Sequence, residues 1–557
     1  MRTSPALRAA ALAATATMLL PLTACSGSGG DASAGTDRTQ NFPHAANAAD
    51  ASVPAALAAQ KLTWKLCPAP SAAQGGGTAP PSPLPGGASA GRGGPARTAP
   101  PSPAPGGTPW ECTFMKVPLD YAKPDGETIS LELIRARAKD RSKRIGSLIF
   151  NFGGPGASGV STLPAFGNSY EKLRTRYDLV SFDPRGVGRS AGVKCMDDKQ
   201  LDARFETDGT PDDAAEEKVL VAEQKKFVAA CKKNSGAELP FVGTTDAARD
   251  MDLMRQVLGD DKLHYFGISY GTELGGVYAH LFPKNIGRAV LDGVVDPTED
   301  YQQSSIGQTK GFQLALDNFT KDCADRGDAC PLPGTTTKEI EQGIAELLGR
   351  LEKQPIQGLG SRKLTQTLAI TGIAAALYSK ETWPLLEQGI DEADGGSGAL
   401  LLALADSLNG RSENGHYDNS TAANTAVNCV DSKQRFSLDR TRSLLPEFRK
   451  LSRIFGDYMG WGLMQCTGWP VPGAWITPDV SAHGAPPVLV IGNTGDPATP
   501  YTGAKAMAEA LGKGVGVQMT YKGQGHGAYN SGNACVQKEV GGYLLDGKVP
   551  AAGTVCR

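Results

Sequence analysis

Short apolar runs alternate with helix-period stretches through most of the chain. Extended segments are predicted at 129–136, 147–152, 179–182, 263–267, 289–291 and 488–491. Between them, 214–231 and 247–258 place apolar residues at helical spacing. Short apolar runs separated by helices point to strands buried on both faces. They therefore predict an α/β fold with a mainly parallel sheet flanked by helices. From 297 to 424 the extended signal fades, and 311–323, 337–351 and 383–408 read as helices. That stretch is expected to be an inserted helical cap. It would divide one sheet domain into a first part, 61–296, and a C-terminal part, 425–557.

Gly and Pro sharpen this outline. The 557-residue chain holds 69 Gly and 38 Pro, above ordinary usage. Twelve of the Pro and ten of the Gly lie in 68–109, where Thr-Ala-Pro-Pro-Ser-Pro at 78–83 recurs at 98–103. Such a segment buries too little apolar surface to fold and reads as a disordered loop within the first part of the core. Residues 25–60 are rich in Ala, Ser and Gly and read as a flexible tether. The net charge of −2 argues against a nucleic-acid partner.

The N-terminus has Arg2 and Arg8, an apolar stretch from 9 to 22, and then Leu22-Thr23-Ala24-Cys25. Residues 1–24 read as a secretory signal. The tetrapeptide resembles a bacterial lipobox, which implies cleavage before Cys25 and lipidation of that residue. The alternative is plain secretion after cleavage near Ala24. Of 11 cysteines, removal of Cys25 from the count leaves an even set in an exported chain. Neighbour pairing would join 67 to 112, 195 to 231, 323 to 330, 429 to 466 and 535 to 556, although spacing alone leaves the connectivity open. Neither a CxxC nor an HExxH motif is present, so no metal or other cofactor is expected.

The chemistry concentrates in four places. Gly267-Ile268-Ser269-Tyr270-Gly271 is a G-x-S-x-G between a predicted strand and a predicted helix. In that setting Ser269 is lifted to a helix N-terminus as a nucleophile. A serine needs a base. Of the six histidines, His526 alone stands in a Gly-rich loop after an extended run, 515–521. The base needs an orienting carboxylate, and the apolar run from 488 leads into a turn that ends in Asp496, with Asp292 and Asp296 in reserve. The order Ser–Asp–His is the one expected for a strand–turn–helix nucleophile. The glycines after 147–152 would bring backbone N–H groups to an oxyanion. Gly153 or Gly154, with Tyr270, would form the hole.

Together, 151–156, 181–190 (Ser-Phe-Asp-Pro-Arg-Gly-Val-Gly-Arg-Ser), the 267–271 elbow, 290–297 (Val-Leu-Asp-Gly-Val-Val-Asp-Pro) and 492–500 resemble secreted bacterial tripeptidyl aminopeptidases. These have the α/β-hydrolase fold and are relatives of proline iminopeptidases. Phe152 stands where many relatives have His. The Pro/Gly segment is not a feature associated with the family. Asp183 and Arg185 are expected to form a structural ion pair.

The resemblance implies a serine exopeptidase that releases short peptides, tripeptides in the closest reading, from substrate N-termini through an acyl-enzyme. Peptide or unfolded-protein N-termini would be the partners, and membrane contact would come only through Cys25. Recognition of an N-terminal ammonium calls for carboxylates, with Glu273 and Asp431 as candidates. A carboxylesterase or lipase using the same triad is the alternative. A catalytically silent surface lipoprotein is a third class.

Overall fold

A computed structural model describes residues 53–74 and 100–557. The signal segment 1–24, Cys25, most of the tether and the middle of the Pro/Gly stretch lie outside the described residues. The main sheet contains β1 (Lys65–Leu66), β2 (Glu111–Pro118), β3 (Thr128–Ala136), β4 (Gly146–Asn151), β5 (Tyr177–Phe182), β6 (Leu263–Ser269) and β7 (Ile286–Val294). A separate small hairpin joins β8 (Ile356–Gln357) to β9 (Lys363–Leu364). β10 (Val488–Gly495), β11 (Gly516–Gln524) and β12 (Thr554–Cys556) complete the main sheet. Its order is β1-β2-β3-β5-β4-β6-β7-β10-β11-β12. From β5 through β12 every neighbouring pair is parallel, whereas β1, β2 and β3 join antiparallel at one edge.

The continuous apolar runs have a direct structural meaning. Successive strand residues face opposite sides of a sheet. Tyr265, Leu291 and Val490 join one core cluster, while Phe266, Val290 and Leu489 join the cluster on the other face. Both faces are covered, so alternation of apolar with polar residues disappears from the central strands.

Between β7 and β10 the chain is helical apart from the small hairpin. Helices Tyr301–Asp325, Thr337–Lys353, Gln366–Leu377, Trp383–Asp394 and Ala399–Leu408 enclose a core of their own, built on residues such as Phe312, Leu347, Ile373 and Leu401. Thr337–Lys353 buries Ile340, Ile344, Leu347, Leu348 and Leu351, a stripe at helical spacing. Its start is defined by a capping box between Thr336 and Glu339. Ser420–Asp431 and Leu438–Leu451 continue the helical stretch beyond 424.

The described ends of the low-complexity regions are attached to the core. Gln60 exchanges hydrogen bonds with the backbone of Lys116 on β2, at 2.9 and 2.8 Å. Residues 100–109 are expected to be disordered, but Ala104 N–H donates to Thr108 O at 2.8 Å, and buried Arg174 donates to Thr108 Oγ1 at 2.7 Å. A buried guanidinium needs acceptors, and this turn supplies them. Among the described residues five disulfides join Cys67–Cys112, Cys195–Cys231, Cys323–Cys330, Cys429–Cys466 and Cys535–Cys556.

The expected Asp183–Arg185 pair does not form. Arg185 instead meets Asp250 on helix Thr244–Leu258, with Nε and Nη2 each 2.7 Å from a carboxylate oxygen. Its remaining N–H groups donate to the carbonyls of Pro118, Leu119 and Phe241. All five donors of the guanidinium are thereby used, and Tyr121 donates to Asp250 at 2.8 Å. The pair is almost inaccessible, at 1% exposure for Arg185 and 0% for Asp250. Asp250→Ala strands a buried cation, and a loss of about 3–5 kcal/mol is expected. The double variant Arg185→Met/Asp250→Leu should lose less. Thermal midpoints at one fixed scan rate check both.

Candidate active site

Parallel strands deliver their C-terminal ends to the same edge of the sheet, and the predicted chemical groups gather there. Ser269 ends β6, at the centre of the sheet. Its backbone has φ 59° and ψ −129°, a region that a non-glycine residue occupies only under strain. The two flanking glycines explain how the turn closes. A Cβ on Gly267 would lie 2.2 Å from the carbonyl oxygen of Gly271, and one on Gly271 would lie 2.6 Å from that of Asn151. Helix Tyr270–Leu281 begins immediately after Ser269. The hydroxyl therefore stands at the positive end of a helix dipole.

Asp496 follows β10, and His526 follows β11. His526 Nδ1 lies 2.8 and 3.0 Å from the two oxygens of Asp496. Asp496 is 1% exposed, and its burial is supported by donors: Ala498 N–H at 3.0 Å, Thr499 N–H at 2.9 Å and Gly527 N–H at 3.1 Å. Thr499 Oγ1 also lies 3.3 Å from Nδ1. Since Nδ1 faces a carboxylate, the ring's proton belongs there and Nε2 carries the basic lone pair. Nε2 is buried and has no hydrogen-bond partner among the described residues, Ser269 included. Burial alone would push the imidazole's pKa down. The charge and hydrogen bond of Asp496, with the charge of Asp292, outweigh this and leave it above its ordinary value.

The glycine loop after β4 lies against Ser269, since a Cβ on Gly153 would stand 2.6 Å from that of Ser269. The two expected glycine donors differ. Gly153 N–H donates to Asn151 Oδ1 at 3.0 Å. That of Gly154 has no acceptor among the described residues. Tyr270 opens its helix, so its N–H is among those lacking an intrahelical acceptor. Asp183 holds the far end of this loop. It accepts from Ser158 Oγ at 2.6 Å, Val160 N–H at 3.1 Å and Gln74 Nε2 at 2.8 Å. Burial pushes the Asp183 pKa up, and these donors oppose that.

The helical stretch touches both halves of the site. His526 N–H donates to Tyr378 O at 2.7 Å, and the two rings meet edge-on with centroids 5.4 Å apart. Asn424 Nδ2 donates to Pro155 O at 3.1 Å. Neither Tyr378 nor Asn424 carries a local sequence signal. Asn151 could have been read as a side chain bonding the backbone two residues on.

The two candidate acids have different surroundings. Asp431 accepts from Thr244 N–H at 3.0 Å and Thr244 Oγ1 at 2.6 Å. It thereby caps helix Thr244–Leu258, whose own N-cap residue is Gly243. Glu273 is the one residue from Tyr270 to Ala279 that is not fully buried, and it makes no hydrogen bond to a described residue. Burial, then the nearby charge of Asp431, pushes Glu273 up to about 8. Asp296 accepts from the backbone and hydroxyl of Thr298.

Residues 452–556 match the family model described as TAP-like protein. Over 464 residues the chain is 37% identical to the serine protease Hip1 of Mycobacterium tuberculosis, covering 80% of this chain and 87% of that protein. It is 32% identical over 461 residues to the tripeptidyl aminopeptidase of Streptomyces lividans, with coverage of 80% and 84%. Similarity to carboxylesterase B of M. tuberculosis is 36% over 454 residues, with coverage of 80% and 86%. Among solved structures, esterase E22 aligns at 12% identity with a TM-score of 0.34, over 78% of this chain and 100% of that one. With more than 30% identity across four-fifths of its length, the chain belongs to the TAP-like family that includes this serine protease and this tripeptidyl aminopeptidase, on an α/β-hydrolase sheet.

Proposed function

We propose that the protein is an exported serine exopeptidase that releases short peptides, tripeptides in the narrowest reading, from substrate N-termini. One observation carries the reading. A strained Ser269 at a helix N-terminus shares a sheet edge with a buried His526, whose Nδ1 faces Asp496 and whose Nε2 is uncommitted. Ser269 Oγ attacks a peptide carbonyl while His526 Nε2 takes its proton. Asp496 stabilises the imidazolium. The N–H groups of Gly154 and Tyr270 receive the oxyanion. His526 returns the proton to the leaving amine, and water then hydrolyses the acyl-enzyme. Gly153, its amide turned to Asn151, shapes the loop rather than donating.

Glu273 is the better partner for the substrate's ammonium, because both Asp431 oxygens already serve Thr244. A bound ammonium would favour the ionised form of Glu273, replacing the charge that burial disfavours. The five disulfides fit an oxidising compartment, and Cys25 would be the anchor. No helix among the described residues is long and apolar enough to cross a membrane. An esterase is the second reading, favoured by the similarity to carboxylesterase B.

Ser269→Ala should abolish fluorophosphonate labelling and lower kcat by about 10⁶-fold. Retained turnover would overturn the nucleophile assignment. With tripeptide chromogenic amides, Glu273→Gln should raise KM for free-amino substrates by about 10-fold or more, the scale of a lost charge-assisted hydrogen bond. Equal wild-type turnover of N-blocked peptides would remove the aminopeptidase reading. Hydrolysis of acyl esters without peptides would favour the esterase. Cys25→Ala should lose metabolic labelling by palmitate, and labelling that persists would exclude Cys25 as the anchor.

A further inference from the structure

A second buried carboxylate faces the histidine loop and has no part in the chemistry above. Asp292 lies on β7, with Ile268 of β6 and Ile491 of β10 as its register partners. It is 1% exposed. Its Oδ1 accepts from Ala528 N–H at 2.8 Å and its Oδ2 from Tyr529 N–H at 2.8 Å. These amides belong to the second and third residues after His526. The β7 backbone lies directly against the ring: a Cβ on Gly293 would stand 3.3 Å from His526 Cε1 and 3.4 Å from Asp496 Oδ2.

The loop is thus gripped at consecutive residues. Tyr378 O takes the amide of His526, Asp496 that of Gly527, and Asp292 those of Ala528 and Tyr529. A carboxylate is a costly group to bury. Here it both fastens the loop and places a negative charge beside a ring that becomes positive during proton transfer.

We propose that Asp292 is a positioning residue for His526, fixing the loop through two successive amides and stabilising the imidazolium with its charge. The proposal rests on Ser269 and His526 acting as described above. Asp292 itself is pushed up to about 6 by burial; the Tyr529 and Ala528 amides pull it back, the Asp496 charge pushes it up, and His526 pulls it down. The other titratable groups packed on the pair are Tyr378, Tyr529 and Tyr170. Each is pushed above the ordinary phenol value by burial, so none changes charge near neutrality.

The sign of the pH effect follows. A negative charge beside the imidazole raises its pKa, so removing that charge must lower it.

The test is the pH profile of kcat/KM for a tripeptide amide. Asp292→Asn should give an acid limb displaced to lower pH by about one unit. Its plateau kcat should fall about 10-fold with KM within twofold. Asp292→Glu keeps the charge and should keep the wild-type midpoint with a lower plateau. Active-site titration with a fluorophosphonate normalises each variant for folded enzyme. Where Asp292→Asn does not fold, Asp292→Glu carries the test, and a midpoint displaced to lower pH in that variant would overturn the role of the charge. An Asp292→Asn limb superimposed on that of the wild type would also overturn it, reducing Asp292 to a loop anchor. If the wild type neither hydrolyses the amide nor takes the label, the catalytic assignment fails before Asp292 is in question.

Discussion

The contact between Asp496 and His526 Nδ1 organises this site. It decides which ring nitrogen bears the proton, and it requires a carboxylate to be held out of water. That second requirement sets much of the surrounding architecture, because a buried carboxylate is tolerated only where donors converge on it. Asp496 gathers the amides of Ala498, Thr499 and Gly527. Asp292 gathers those of Ala528 and Tyr529. Asp183 ties the segment after the glycine loop to Gln74, near the start of the described chain. Asp431 brings the end of Ser420–Asp431 onto the first residue of Thr244–Leu258. Each acid is a knot between segments remote in sequence, and several of the tied segments carry groups of the site.

The inserted helices participate in the same arrangement. They have their own apolar core, so they fold around themselves rather than lying as loops over the sheet. Yet Tyr378, at the end of one of them, bonds the backbone of His526. Asn424 bonds Pro155 of the glycine loop from helix Ser420–Asp431, whose Ala426, Val427 and Val430 pack in the core of the sheet. Two separate packing units therefore reach the candidate site, one at His526 and one at the glycine loop.

The site was legible where function imposes local pattern. Gly267 is required by a contact within a few residues of Ser269, the G-x-S-x-G spacing marks Gly271 as well, and Asp496 and His526 follow strands whose apolar runs are unmistakable. The buried acids were harder to read. Arg185 lies two residues from Asp183, yet its partner is Asp250, 65 positions on. Nothing in 181–190 distinguishes the two possibilities, because a guanidinium chooses the carboxylate that the folded chain places in its plane. Asp431 looked like a substrate ligand, since its role as a cap depends on Gly243, which has no side chain of its own to cap the helix. Residues 100–109 read as disordered by composition. Their order comes from Arg174, whose buried guanidinium needs the Thr108 hydroxyl.

By itself, the sequence determined the parallel sheet, the helical stretch between its two parts, the strand–turn–helix setting of Ser269 and the chain order of the candidate residues Ser269, Asp496 and His526. Each of these is written in periodicity or in residue types a few positions apart. The tertiary structure alone decided that Glu273 and not Asp431 keeps its oxygens free, and that Asp292 grips the loop behind His526. Those outcomes depend on which donors reach which buried acceptors. Hydrogen bonding acts over about 3 Å, a scale on which residues hundreds of positions apart become neighbours only after the sheet has closed.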